Sequence, residues 1–194
     1  MSPFIVLHVC MGNICRSPMA ERLFAHAVRE RSGGEDLVVS ESAGTGGWHA
    51  GEPMNPPAAR ELRRRGVDPG GFRARRLTPA HIEAADLILT ATEEQFDFVL
   101  GMRPDAAART FVLGEFARLA AEVDPEKLPY GEGSAEGVHA RGLALVEAVH
   151  AARGEAAPLE ADDLDDPWGG SEAVFHATAD RIVEWITPVV GQLL

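Results

Sequence analysis

Short apolar stretches alternate along this chain with segments whose apolar residues recur every three to four positions. Four stretches rich in Val, Ile, Leu or Thr predict β-strands, at residues 4–9, 37–42, 86–90 and 110–113. The helical spacing between and after them predicts helices, at residues 20–28, 58–65, 93–100, 138–153 and 171–187. We expect Pro188 to kink the last helix or to end it.

This alternation predicts an α/β fold with a parallel sheet whose two faces are covered by helices. Ligands of such sheets bind at the carboxyl ends of the strands, and Cys10 directly follows the first predicted strand. A chain of 194 residues with 45% hydrophobic content can bury a substantial core. We therefore expect one domain over residues 1–194.

The run that follows this strand reads Cys-Met-Gly-Asn-Ile-Cys-Arg-Ser-Pro-Met over residues 10–19. A thiol, five intervening residues and an arginine suit a loop that wraps a tetrahedral dianion, because backbone N–H groups, a helix N-terminus and a guanidinium all point inward. The same positive field favours the thiolate of Cys10, which is the nucleophilic form. Gly12 and Asn13 tolerate a positive φ, and Ser17 can hydrogen-bond the thiolate or cap the helix. These features together predict phosphoryl transfer to sulfur.

The structural alternative for this run places Cys10 in the core at a strand end and Arg16 on the surface of a first helical turn. It is the usual explanation of an isolated Cys-x5-Arg spacing. The additional glycine, asparagine and serine favour the chemical interpretation here.

An Asp-Pro pair near the C-terminus supplies a candidate general acid. Expelling a phenolate from phosphorus at neutral pH requires its protonation, and a positioned acid contributes about 10²- to 10⁴-fold. Pro167 disfavours a helical conformation for Asp166, so this carboxyl would lie on a rigid turn before the last helix. Taken alone, Asp-Pro is a common turn signal, and Asp162, Asp163 and Asp165 crowd the same segment.

These motifs resemble the low-molecular-weight protein tyrosine phosphatase family. The loop is similar to the family's Cys-x-Gly-Asn-Ile-Cys-Arg-Ser-Pro motif at each fixed position, and residues 166–171 resemble its Asp-Pro-aromatic loop. Residues 42–49, 73–78 and 85–89 resemble its second strand, cleft-lining loop and third strand. The similarity covers about residues 4–116 and 164–194. It implies a flavodoxin-like three-layer sandwich with a four-stranded parallel sheet of order 2-1-3-4.

The resemblance implies a role for each matched residue. Cys10 is the implied nucleophile, Arg16 the implied stabiliser of the transition state, and Asp166 rather than Asp165 the implied acid. The implied phosphate-binding residues are Met11, Gly12, Asn13, Ile14, Cys15, Arg16 and Ser17. The implied cleft walls are Trp48, His49 and Trp168, and the residues implied to support the loop are Asn13, Ser17 and Ser42.

The chain departs from the family pattern at three places. Phe72 stands where the family often has a histidine under the loop, so we expect the loop to be held with one partner fewer. Trp168 replaces the usual tyrosine beside the acid, and Gly169 replaces a second tyrosine. Residues 117–161 form an insertion, predicted as a loop at 124–134 and a helix at 138–153. This insertion is either a tolerated decoration, which we favour, or a lid over the site.

The two cysteines of the chain, Cys10 and Cys15, both lie in the loop. They exclude a disulfide framework, but they could form a reversible disulfide that protects Cys10 from peroxide; the alternative is that Cys15 merely packs beneath the loop. The seven histidines show no metal-ligand spacing, and the chain has no dinucleotide-binding or Walker motif. We expect neither metal nor cofactor.

Three rival functions share the loop. Arsenate reductases resemble the chain in fold but use a further cysteine pair that is missing here. Protein arginine phosphatases also resemble it at Asp-Pro-aromatic-Gly-Gly-Ser, but they carry a threonine where this chain has Ile14, whose apolar side chain suits a phenyl ring. An inactive phosphate-binding module would need neither the Cys10 thiol nor the Asp166 acid. The sequence therefore favours phosphotyrosine.

A formal net charge of −12 argues against nucleic acids and anionic membranes as partners. Seven arginines nevertheless cluster within residues 60–76, where they form either a solvated face or a surface that steers anionic phosphoproteins. No apolar run reaches the length of a transmembrane helix, and no signal peptide is evident. We expect a cytoplasmic protein, a monomer or weak dimer, that acts on phosphotyrosine proteins.

Overall fold

A four-stranded parallel sheet forms the centre of the computed structural model, which describes residues 3–131, 133–154 and 157–194. Its strands are β1 (Phe4–Cys10), β2 (Val38–Gly44), β3 (Leu87–Thr90) and β4 (Thr110–Val112), in the order β2-β1-β3-β4. Residue 10 pairs with residue 44 at the carboxyl ends of β1 and β2. The predicted strands, the parallel sheet and its order 2-1-3-4 are confirmed.

Seven α-helices connect and cover these strands within the described residues. They are α1 (Arg16–Arg31), α2 (Pro56–Arg64), α3 (Pro79–Ala84), α4 (Glu93–Met102), α5 (Leu113–Ala120), α6 (Ala135–Arg153) and α7 (Glu172–Leu193). Short 3-10 turns occur at Pro104–Arg109, Pro125–Lys127 and Glu160–Asp162. None of the helices in the described ranges is both long and apolar enough to cross a membrane.

Alternation along β1 divides the core into two layers. Phe4 and Val6 face one side with the buried faces of α1, α5, α6 and α7, while Leu7 and Val9 face the other with α3 and α4. The sheet is therefore covered on both faces, as a short, apolar parallel sheet requires. Cys10 belongs to the larger layer and is the last residue of β1, at the carboxyl end of that strand.

The last helix departs from the sequence prediction. It neither ends at residue 187 nor stops at Pro188, but continues to Leu193 with Pro188 inside it. A proline within a helix costs about 3 kcal/mol. Burial of Val189, Val190 and Leu193 against the core offsets this cost, since a fully buried aliphatic side chain contributes about 1.5–3 kcal/mol. Helices α3 and α5 were not predicted, because six and eight residues are too few for a clear period.

Helix α6 packs at the end of the sheet opposite Cys10. A side chain at Gly142 would collide with the ring of Phe4, the first residue of β1, and Arg153 donates hydrogen bonds of 2.8 Å to the Thr110 carbonyl and 2.7 Å to the Ala107 carbonyl at the start of β4. This placement favours decoration over a lid for this helix. The bounds of the 117–161 insertion stay a prediction, and its residues 132, 155 and 156 lie outside the described residues.

Part of the arginine cluster joins α2 to α7. Arg60 and Arg64 both pair with Glu172 near the start of α7, and Arg65 pairs with the buried Glu61 at 2.7 Å and with Asp180 at 2.6 Å. These three guanidinium groups act within the fold.

Candidate active site

The loop between β1 and α1 is shaped by one buried asparagine. Asn13 has φ +54°, the left-handed region that an Asn tolerates better than most residues. Its side-chain Nδ2 donates to the hydroxyls of Ser17 and Ser42, each at 2.9 Å, and its Oδ1 accepts from the backbone N–H of Arg75 at 2.8 Å. Three hydrogen bonds thus fix the turn of the loop from within.

The sulfur of Cys10 lies 3.0 Å from the Ser17 hydroxyl, and both residues are buried. Because Ser17 already accepts a hydrogen bond from Asn13, its own hydrogen is free to point at the sulfur. Hydrogen bonding to the charged form of a group favours that form. The geometry therefore suits a Cys10 thiolate, as the motif predicts.

A partly buried carboxylate ends the network under the loop. The Ser42 hydroxyl accepts from Asn13 and donates to Oε2 of Glu21 at 2.5 Å. Burial raises the pKa of Glu21 above its usual value. Because Phe72 stands where the family often has a histidine, the sequence predicted one hydrogen-bond partner fewer for the loop. Glu21 and the backbone N–H of Arg75 supply hydrogen-bond partners that were not predicted.

Arg16 begins α1 and reaches the candidate acid. Its Nη1 donates to the carbonyl of Leu164 at 3.0 Å, and its Nη2 donates to Oδ2 of Asp166 at 2.8 Å. The buried Nε has no partner among the described residues. Two of the five guanidinium N–H groups are therefore engaged by residues that the structure describes, one of them by a carboxylate, and the remaining three, Nε–H among them, are left for an anion.

Asp166 is held on the turn that Pro167 predicts. Its Oδ1 accepts from the backbone N–H of Trp168 at 3.1 Å, and its side chain is 44% exposed, so the carboxyl is open to substrate. The neighbouring carboxylates are used elsewhere: Asp162 pairs with Arg118, and Asp163 accepts from the N–H of residue 93. Asp166, which pairs with Arg16 and lines the cleft, is thereby distinguished from Asp162 and Asp163.

These groups line one cleft of about 240 Å³. Its wall is formed by the predicted residues Cys10, Met11, Gly12, Ile14, Cys15, Arg16, Trp48, His49, Asp166 and Trp168. The two indoles are 65% and 67% exposed, at Trp48 and Trp168, and so form free edges of the cleft. His49 is oriented by Glu52, whose carboxylate lies 2.7 Å from Nδ1.

Cys15 differs from Cys10 in its surroundings. Burial, as the main cause, and the negative charge of the nearby Cys10, as a smaller one, raise the pKa of the Cys15 thiol to about 12. Cys15 is therefore a protonated thiol at neutral pH, and both cysteines are free. No group of three or more potential metal ligands occurs in the described ranges.

Sequence reasoning brought together the loop, the acid and the cleft walls but missed Glu21, Arg75 and the Leu164 carbonyl. Glu21 lies one turn beyond the loop on α1, and nothing in the sequence distinguishes it from an ordinary solvated glutamate. Arg75 contributes through its backbone, and Leu164 does so through its carbonyl, and neither group leaves a side-chain signature.

Comparison with known proteins identifies the family of the chain. The family model described as "Low molecular weight phosphotyrosine protein phosphatase" matches residues 5–153. The chain therefore belongs to the low molecular weight phosphotyrosine protein phosphatase family, as the loop predicted.

Two relatives and two solved structures show the extent of this likeness. The chain is 38% identical over 97 residues to low molecular weight protein-tyrosine-phosphatase YfkJ of Bacillus subtilis, a match that covers 50% of this chain and 62% of that one. It is 43% identical over 114 residues to protein-tyrosine phosphatase A of Mycobacterium tuberculosis, covering 59% and 68%. The structure resembles a low molecular weight protein tyrosine phosphatase from T. tengcongensis, with TM-score 0.68, 24% identity and coverage of 97% and 98%. It equally resembles the YwlE arginine phosphatase from Geobacillus stearothermophilus, with TM-score 0.68, 24% identity and coverage of 98% and 93%.

Proposed function

We propose that the protein hydrolyses phosphotyrosine in proteins through a phosphocysteine intermediate. The observation that carries this proposal is the convergence of three groups on one cleft: the Cys10 thiol, the Arg16 guanidinium and the Asp166 carboxyl, the last two separated by 150 positions in sequence. Binding of phosphate alone would require neither the thiol nor the acid.

In the first step, the Cys10 thiolate attacks phosphorus while the bond from phosphorus to the phenolic oxygen breaks. Asp166 gives its proton to this oxygen, so the leaving group departs as neutral tyrosine. The loop N–H groups and Arg16 stabilise the charge on the three equatorial oxygens. In the second step, the oxygen of a water molecule attacks phosphorus while the Asp166 carboxylate takes a proton from that water. The phosphorus–sulfur bond breaks, which restores the Cys10 thiolate.

The ion pair between Arg16 and Asp166 connects binding to protonation. A phosphoryl group that takes over the Nη2 donor displaces the Asp166 oxygen, which lies 2.8 Å from that nitrogen. The displaced carboxyl is then free to turn toward the leaving-group oxygen, to which it gives its proton. Substrate binding thus prepares Asp166 to act as an acid.

The walls of the cleft favour an aryl substrate. A cavity of about 150 Å³ is enough for benzene, so about 240 Å³ admits a phenyl ring with its phosphoryl group. Ile14 offers an apolar surface, and Trp48 and Trp168 offer aromatic faces that can stack on the ring. A phosphoarginine guanidinium would find no hydroxyl at position 14.

Arginine phosphatase activity is the second candidate, supported by the Asp-Pro-Trp-Gly-Gly-Ser sequence at residues 166–171. The test is kcat/KM of the reduced protein for matched phosphotyrosine and phosphoarginine peptides, with Cys10→Ser as the blank. We expect a preference of at least a hundredfold for phosphotyrosine, about 2.7 kcal/mol in transition-state binding. Ile14→Thr should narrow this preference. A phosphoarginine preference in the unmodified protein would overturn the assignment.

We further propose that Cys10 and Cys15 form a reversible disulfide under peroxide. Two thiols are oxidised as one peroxide is reduced to two waters, and activity returns when a reductant cleaves the bond. Cys15 supports this role because it lines the same cleft as Cys10 and, like Cys10, is a free thiol.

A further inference from the structure

A second cavity, of about 330 Å³, lies between α2 and the segment that follows it. We call it the arginine groove and define it by Pro53, Met54, Arg60, Arg63, Phe72 and Arg73. Met54 and Phe72 are buried, so the base of the groove is apolar and fixed. Its rim is cationic: Arg60 and Arg63 are three positions apart on α2, and Arg73 comes from the later segment.

Two of these arginines are not compensated within the fold. Neither Arg63 nor Arg73 lies within 4.0 Å of a carboxylate in the part of the chain that the structure describes, and both are exposed. Their neighbours Arg64 and Arg65 are paired with carboxylates of α2 and α7. A chain with 30 acidic and 18 basic residues has carboxylates to spare, so an unpaired cationic rim is not a consequence of composition.

The groove is joined to the catalytic loop through backbone hydrogen bonds. The N–H of Asn55, next to Met54, donates to the Ile14 carbonyl at 2.9 Å, and the N–H of Arg75 donates to Asn13 at 2.8 Å. The N–H of Ala74 donates to the Glu52 carbonyl at 2.8 Å. Both walls of the groove therefore continue directly into segments that hold the loop.

The cleft and the groove are close enough for one extended peptide to occupy both. His49 lines the cleft and Pro53 lines the groove. The four residue-to-residue steps from His49 to Pro53 span at most about 14 Å when fully extended. An extended substrate covers the same span in about four residues, so a residue at that separation from the phosphotyrosine reaches the groove on its Pro53 side.

We propose that the arginine groove binds an acidic segment of the phosphoprotein substrate, with Asp or Glu side chains about three to five residues from the phosphotyrosine. This inference rests on the proposed function. Arg63 and Arg73 bind the carboxylates, and the apolar base receives the aliphatic parts of the same segment. Because the net charge of −12 repels acidic substrates elsewhere on the surface, a local cationic groove selects the approach that brings them to the cleft.

The test compares three substrates with the double variant Arg63→Gln/Arg73→Gln. They are a phosphotyrosine peptide with acidic residues on both flanks, the same peptide with these residues replaced by Asn and Gln, and p-nitrophenyl phosphate. The matched control is Arg29→Gln/Arg31→Gln, which removes the same charge at the last turn of α1, at the other end of the sheet. We expect kcat/KM for the acidic peptide to fall about tenfold in the groove variant only, which is about 1.4 kcal/mol. The other two substrates should change less than twofold.

An unchanged kcat/KM for the acidic peptide, or an equal loss on all three substrates, would overturn the proposal. Failure of the proposed function is recognised separately, because the unmodified protein would then hydrolyse neither phosphotyrosine peptide. In that case, fluorescence anisotropy with the unphosphorylated acidic peptide still tests the groove. Binding must weaken at least fivefold in the groove variant and stay unchanged in the control, and any other result counts against the groove.

Discussion

The conformation of the loop depends on Asn13, and replacing this residue separates two contributions to stability. Asn13→Ala removes all three side-chain hydrogen bonds and places an alanine at φ +54°. Asn13→Gly removes the same three bonds but puts a residue there that adopts positive φ without strain. Both variants therefore lose the three hydrogen bonds, but only the alanine variant bears the cost of the positive φ.

The magnitudes follow from these contacts. Each hydrogen bond contributes about 1 kcal/mol net. Either substitution also leaves the N–H of Arg75 without its acceptor at a fully buried position. The combined loss of the three bonds is about 3 kcal/mol in both variants. The left-handed conformation costs an alanine about 1 kcal/mol more than a glycine. We expect Asn13→Ala to lose about 4 kcal/mol of the free energy of unfolding, and Asn13→Gly about 3 kcal/mol.

Urea unfolding at equilibrium measures both values, with the m-value as a check that the unfolded states are comparable. Activity should fall in both variants, because Ser17 loses the donor that orients its hydroxyl toward Cys10. A loss below about 1 kcal/mol in Asn13→Ala, or a glycine variant less stable than the alanine variant, would refute the reasoning.

Three further predictions concern single ionisable groups. Asp166→Asn should slow aryl phosphates with poor leaving groups by about 10²-fold or more and activated ones much less; equal slowing, measured as kcat across a leaving-group series, would exclude Asp166 as the acid. Iodoacetamide near pH 7 should modify Cys10 but not Cys15, whose pKa burial raises to about 12; peptide mapping that finds both modified would contradict this. Burial lowers the pKa of His8 to about 3, so the unfolded state binds the extra proton and stability is lost as pH falls below about 6.5. NMR should show a constant His8 shift from about pH 8 to pH 5, whereas a midpoint near the reference value of about 6.5 would show that the imidazole is not buried.

Local signals in the sequence were sufficient for the sheet and the phosphate loop. The strands are short, apolar and bounded by turn residues, and the loop joins a strand directly to a helix, so the position of Cys10 at the carboxyl end of β1 follows from topology. The proline beside Asp166 predicted the rigid turn on which it lies, whereas the choice of Asp166 as the acid came from the resemblance to the family. In each case neighbouring residues determine the structure.

Features that depend on distant residues were not predictable in the same way. Helix α7 continues through Pro188 because residues after it are buried by other helices, which a local rule cannot include. Glu21 is partly buried and accepts a hydrogen bond from Ser42 of β2, although its sequence position is that of a surface residue on α1. The division of the arginine cluster into paired and unpaired members depends on where α7 lies.

Formation of the phosphocysteine is the central claim, and trapping it is the most direct test. Asp166→Asn is mixed with an activated aryl phosphate, quenched within one turnover and measured by intact mass and peptide mapping. We predict one added phosphoryl group on the peptide that contains Cys10, retained in a Cys15→Ser background and absent from Cys10→Ser. Turnover without this adduct, or an adduct on another residue, would contradict the proposed mechanism.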